Sequence, residues 1–175
     1  MAEGKLERRF WRFWLSGLLL LALMIAMNPA FSNEISPFGM RDHQTAGTAL
    51  RVDAIQGAWQ AAGVLNLARF GMAIDLVYIA IYAFGAYCGG RLFSQSSKPA
   101  LRRLGWTIAV TAIIGGAADA IETLCQCVQI MMLKGSDLLA GVAATAQPVK
   151  TIAFLVTFFG LLTALYIRRT TRRAG

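Results

Sequence analysis

The chain has 175 residues, enough for one domain, and 57% of them are apolar against 15% charged. The mean hydropathy of +0.55 lies above that of ordinary soluble domains and argues against a water-soluble core as the destination of so much apolar surface. The net charge is +8, but the basic residues gather beside apolar runs instead of lining one face, which argues against nucleic acid as the partner.

Four runs meet the ~20 apolar residues a helix needs to cross a ~30 Å hydrocarbon core. They predict spans at about 10–30, 69–90, 104–133 and 138–167, with an external segment at 31–68. The expectation is an all-α, four-helix transmembrane bundle, one integral membrane domain over 1–175, with an external amphipathic helix between the first and second spans.

Lys5, Arg8, Arg9 and Arg12 precede the first run. Trp11 and Trp14 stand at the same edge, where an aromatic belt is expected. A basic start and an apolar middle also describe a signal peptide. The run from Phe13 to Met27 is at the long end for one, and Asn28-Pro29-Ala30-Phe31 gives no clean small-x-small cleavage site. A retained helix is expected, stopped by Asn28-Pro29.

The external segment starts with turn formers: Ser32, Asn33, Ser36, Pro37 and Gly39. His43, the only histidine, stands beside Asp42 and reads as a solvated loop pair. From about Thr48, Val52, Ile55, Trp59 and Ala62 recur at helical spacing opposite Arg51, Asp53 and Gln60. That pattern predicts an amphipathic helix lying at the outer interface, anchored by Trp59.

The second and third spans are joined by a short basic link. Arg91, Lys98, Arg102 and Arg103 border it, and Pro99 lies inside it. Lys134-Gly135-Ser136-Asp137 is a tight turn that makes the third and fourth spans antiparallel neighbours. Arg168, Arg169, Arg172 and Arg173 follow the fourth span. With four crossings, all three basic groups fall on one side, and the positive-inside pattern places both termini in the cytoplasm. The small size and short basic ends suggest a bacterial inner membrane.

Asp75, Asp119, Glu122 and Lys150 lie inside predicted spans. Such groups cost ~2.5–3.5 kcal/mol each on insertion scales, so they face the bundle interior and pair. Asp75 lies 16 residues from Arg91, Asp119 16 and Glu122 19 from Arg103, Lys150 18 from Arg168, and Asn28 16 from Arg12. At 1.5 Å per residue they share a level about 24–28 Å from the inner surface.

Facing agrees. Gly115, Asp119, Glu122, Gln126 and Gln129 make a polar stripe at steps of four and three, and Asp75, Tyr78, Tyr82, Gly85 and Gly89 make another. Gly85 and Gly89 form a GxxxG, which lets another helix approach closely. Gln147 and Lys150 share a face of the fourth span, with Pro148 between them expected to weaken the local ladder. Glu122 and Lys150 each lie 14 residues from Ser136, so the hairpin predicts an ion pair between them. Three carboxylates against one ammonium leave charge for a cation, a basic ligand, or external Arg51 or Arg69 to balance.

The candidate ligand or ion site is therefore Asp75, Tyr78, Tyr82, Asp119, Glu122, Gln126, Gln129, Gln147 and Lys150. A lone histidine outside the spans rules out bis-histidine haem and Glu-x-x-His di-iron sites within one chain. G-x-S-x-G, Walker A and G-x-G-x-x-G are absent from the sequence. Cys88, Cys125 and Cys127 form no CxxC and read as packing residues. No cofactor or metal is expected, and no motif ties the chain to a named family. The leading expectation is a binding, regulatory or assembly partner in contact with membrane lipids, with a membrane protein partner or self-association. A transporter or channel subunit for a cation or proton, and an intramembrane lipid-modifying enzyme, are the alternatives.

Overall fold

The computed structural model describes residues 2–174, with side chains described for residues 4–170. Arg172 and Arg173 of the last basic group lie outside the described side chains. The chain is all-α. Its helices are α1 (Ala2–Met27), α2 (Met40–Gln44), α3 (Ala49–Ala61), α4 (Leu65–Ser94), α5 (Pro99–Met132) and α6 (Asp137–Ala174). α1, α4, α5 and α6 are each long and apolar enough to cross a membrane, which makes this a multi-pass membrane protein.

The ends of the helices follow local chemistry. α1 passes into a 3₁₀ turn, Asn28–Phe31, at Pro29. Thr48 caps α3 by accepting the Arg51 N–H at 3.3 Å. α3 stops before Gly63, whose φ of +72° suits a residue without a Cβ. α5 opens on Pro99, where a missing N–H costs nothing. Ser136 precedes α6, its carbonyl accepting the Ala140 N–H at 2.8 Å. α6 runs unbroken through Pro148, which removes one amide donor opposite the Ala144 carbonyl without ending the helix.

Contacts divide the chain into two compact units. The first is Met1–Leu18, Ala80–Gly116 and Lys150–Gly175; the second is Leu19–Ile79 and Ala117–Val149.

The first unit packs Phe10, Ala86, Leu92, Phe93, Ile108 and Leu161 as a buried cluster, with Cys88 in it as a packing residue. Trp11 and Trp14 lean on Phe10, with ring centroids 4.9 and 5.5 Å away. The GxxxG expectation is met here. A Cβ on Gly85 would lie 2.9 Å from the Trp14 nitrogen, and one on Gly89 2.7 Å from Leu161 and Phe10 carbons. Gly85 thus lets the backbones of α1 and α4 meet. A tighter crossing lies one residue beyond Gly89. A Cβ on Gly90 would lie 2.5 Å from the Ala109 nitrogen, and one on Gly105 would collide with the Ser94 nitrogen and lie 2.6 Å from the Phe93 carbonyl carbon.

The second unit has its own cluster, built on Phe31, Ile55, Trp59, Leu65, Met72 and Ile130. α3 exists as expected, but Trp59 does not anchor it in an interface. Trp59 is 0% exposed. Its indole N–H donates to the Phe31 carbonyl at 2.9 Å and to Ser36 Oγ at 3.2 Å. The face of α3 that carries Val52, Ile55 and Trp59 is covered by the chain's own loop, α4 and α5, so the covering medium is protein and not lipid. Two carboxylates fix α3 to the α5–α6 turn. Asp53 accepts the Gly135 N–H at 2.5 Å, and Asp137 accepts the Ala49 N–H at 2.7 Å.

Candidate functional site

Seven of the nine candidate side chains belong to the second unit: Asp75, Tyr78, Asp119, Glu122, Gln126, Gln129 and Gln147. Tyr82 and Lys150 belong to the first. The stripe on α5 faces inward as its spacing requires. Asp119, Glu122, Gln126 and Gln129 are all buried, Glu122 completely. Asp75 and Tyr78 are buried on α4, and Tyr78 lies within electrostatic reach of the Asp75 and Asp119 carboxylates. Gln147 is half-buried.

Hydrogen bonds join α5 to the Asp75 stripe and run along the α5 stripe itself. Thr123, fully buried on α5, donates its hydroxyl to Asp75 Oδ2 at 2.8 Å. Gln126 donates its amide to Glu122 Oε1 at 3.1 Å, one turn away on the same face. Gln129 lies on the stripe but works at the helix end, donating to the Cys125 carbonyl at 3.2 Å and accepting the Ser136 N–H at 3.0 Å. It closes the turn instead of joining Asp75. In the first unit, Tyr82 is buried edge-on to Phe154, with centroids 5.9 Å apart.

Arg69 and Arg51 are engaged by backbone and amide oxygens. Arg69 reaches the Ile130 carbonyl through Nε and Nη2, both at 3.3 Å, and Asn66 at 3.1 Å. Arg51 donates to the Ile35 carbonyl at 2.6 Å. Both guanidiniums satisfy backbone oxygens at helix and loop ends, where carbonyls lack partners.

Next to Asp75 the second unit holds a cavity of about 490 Å³. Its walls come from the end of α1, the 3₁₀ turn, the loop and α2 at 37–44, α4 over Gly71–Asp75, and Gln126 of α5. Most of the lining is apolar, and Met24, Met27, Met40 and Met72 supply four flexible thioether walls. Asn28 lines it too, but is engaged by the loop: it accepts the Met40 N–H at 3.0 Å and donates to the Phe38 carbonyl at 3.3 Å. Ile25 and Phe38 are exposed lining residues and mark the open side.

The His43–Asp42 pair is overturned. His43 is only 2% exposed and stacks on Trp59 at 5.4 Å, with its Nε2 3.1 Å from Gln56 Nε2. Asp42 instead accepts the Phe38 N–H at 2.6 Å. Burial disfavours the imidazolium and lowers the His43 pKa to about 4. His43 Nδ1 and Gln56 Oε1 are both buried without a hydrogen-bond partner.

Sequence reasoning missed Thr123, Gln56 and the cavity. Gln56 shares the 52-55-59 face, and that register was the available signal. Among the described residues, no three His, Cys, Asp or Glu side chains converge as metal ligands. Compared with protein families, curated proteins and solved structures, the chain matches none.

Proposed function

We propose that this is a small four-span protein of a bacterial inner membrane, both termini cytoplasmic, that serves as a binding, regulatory or assembly partner. Its buried polar layer receives a ligand or a partner from the outer side. The observation that supports this reading is the cavity. Two members of the layer, Asp75 and Gln126, form part of its wall. A layer that served only helix register would have no need of an accessible void beside it, because packed interiors leave few voids larger than a water.

The test is native mass spectrometry of the protein released in mild detergent, combined with thermal melting. Wild type is expected to carry a bound molecule or partner chain, and Asp75→Asn to lose it with little change in melting. A layer that is purely structural gives another pattern: bare wild type, with Glu122→Gln and Lys150→Met each less stable and the double variant restored. Cation or proton flux in liposomes, abolished by Asp119→Asn in a folded protein, would replace the binding reading by the transporter one.

A further inference from the structure

We infer that the cavity of the second unit is a lipid site: it takes an acyl chain of an anionic phospholipid, whose phosphate is received at the mouth by Arg41 and Gln44. The inference rests on the binding reading above and names its ligand class.

Arg41 and Asp75 are the charged residues of the lining. Asp75 accepts from Thr123 and Gln126 donates to Glu122, so both are occupied within the protein and the site does not depend on them. Arg41 is exposed on α2, and no side chain among the described residues pairs with its guanidinium. Asp42, its neighbour in sequence, is turned to the Phe38 N–H at 2.6 Å. Gln44 lines the same cavity, and its amide has no partner among the described residues either. Side chains three apart on a helix share a face, so the mouth offers guanidinium and amide N–H donors together. A phosphate is rich in acceptors and takes two parallel bonds from one guanidinium, which matches such a mouth.

The remaining walls set the body of the ligand. They are mostly apolar, and about 490 Å³ lies within the ~300–1,000 Å³ of small-molecule sites. The flexible methionine walls adapt to a chain of any bend. Position in the membrane agrees. Met40 donates its N–H to Asn28, where the apolar run of α1 ends, so α2 sits at the outer end of that span. In the proposed topology this is the headgroup level of the outer leaflet. From Asn28 back to Leu21 the cavity follows α1 toward the bilayer centre, over about 10 Å at 1.5 Å per residue. Polarity therefore runs along the cavity as it runs along a lipid, charged at the rim and apolar within. Ile25 is exposed on the apolar part of α1 and marks a side open to the bilayer, through which a chain can enter. A chain that moves from bilayer to cavity exchanges one apolar medium for another and gains little. Selection thus falls to the phosphate, and Arg41 is the residue that exerts it.

The experiment titrates the full chain by native mass spectrometry in a nonionic, phosphate-free detergent. The probes are palmitoyl lysophosphatidic acid, monopalmitoylglycerol, which has the same chain without the phosphate, and glycerol phosphate, which has the head without the chain. Lysophosphatidic acid is expected to bind at least tenfold more tightly than either of the others. Arg41→Gln should bring it down to the affinity of the neutral acyl probe and leave that probe unchanged. The exposed Arg41 side chain makes this variant safe for folding, and an unaltered thermal melt checks it. A Cβ at Gly71 lies in ordinary contact with Met40 and Phe31, at 3.8 and 4.0 Å, so Gly71→Leu extends into the cavity and should abolish binding of both acyl probes. Equal affinity for the two acyl probes, a preference that survives Arg41→Gln, or acyl binding that survives Gly71→Leu overturns the assignment. Glycerol phosphate binding as tightly as lysophosphatidic acid would make this a site for free phosphate esters and overturns the lipid. If no probe binds while wild type still carries a native molecule or partner, the ligand class is wrong and the binding reading stands. If no probe binds and wild type is bare, both fall.

Discussion

Replacing Thr123 by valine removes one hydroxyl from the centre of the second unit and leaves the shape of the side chain unchanged. Thr123 is fully buried, and its hydroxyl donates to Asp75 Oδ2 at 2.8 Å, joining α5 to α4. Hydrogen bonds to charged acceptors contribute ~1.5–3 kcal/mol in soluble proteins. Bonds between membrane helices average ~0.6 kcal/mol and reach ~1.7, since the unfolded chain in lipid also finds partners. Full burial of the donor and a carboxyl acceptor place this bond at the upper end of the membrane range, at about 1–2 kcal/mol. The clean measurement is a double-mutant cycle of Thr123→Val with Asp75→Ala, which cancels the gain from burying an extra methyl. Reversible unfolding in mixed micelles, followed by circular dichroism, supplies the four stabilities. A coupling below about 0.5 kcal/mol would refute the argument that this contact fastens the two helices.

Gly90→Ala should lower the melting temperature and cost about 1–3 kcal/mol, because its new methyl would press on the Ala109 backbone, which has no rotamer to yield. Gly57→Ala, where nothing lies within 4 Å on α3, should instead gain up to ~1 kcal/mol in the same thermal melt. Folding buries His43 neutral, so the unfolded chain holds its proton more tightly. The associated stability is full above pH 6.5 and is lost as pH falls toward about 4, by about 3 kcal/mol at most. Denaturation midpoints from pH 7 to 4 should fall less steeply in His43→Gln than in wild type, and parallel profiles would remove the assignment.

The four spans were legible because hydrocarbon thickness sets a minimum length that little else in a small protein satisfies. The stripe from Asp119 to Gln129 was legible for a related reason: polar groups in apolar helices must turn inward, so spacing alone gives the face. Thr123 was not, because a helical threonine can bond to its own preceding turn and so carries no mark of an external partner. His43 misled because a histidine beside an aspartate in a loop carries no mark of burial, and Trp59 misled for another cause. Amphipathic periodicity reports that a face is covered, and lipid and loop cover it equally well. The Gly90–Gly105 crossing was hidden beside Gly89, since two adjacent glycines on α4 allow two neighbouring faces and the partner glycine lies beyond the link. The arginines were assigned by charge, yet Arg69 and Arg51 serve open carbonyls nearby.

Near the two ends of the polypeptide, Arg168 grips Glu7 with both guanidinium nitrogens, at 2.8 and 3.1 Å. A two-pronged ion pair of this kind fixes direction as well as distance. α1 and α6 are therefore fastened to each other at Glu7 and Arg168. Within the first unit this contact joins segments far apart in sequence, so loss of either side chain would release α1 from α6 at this point.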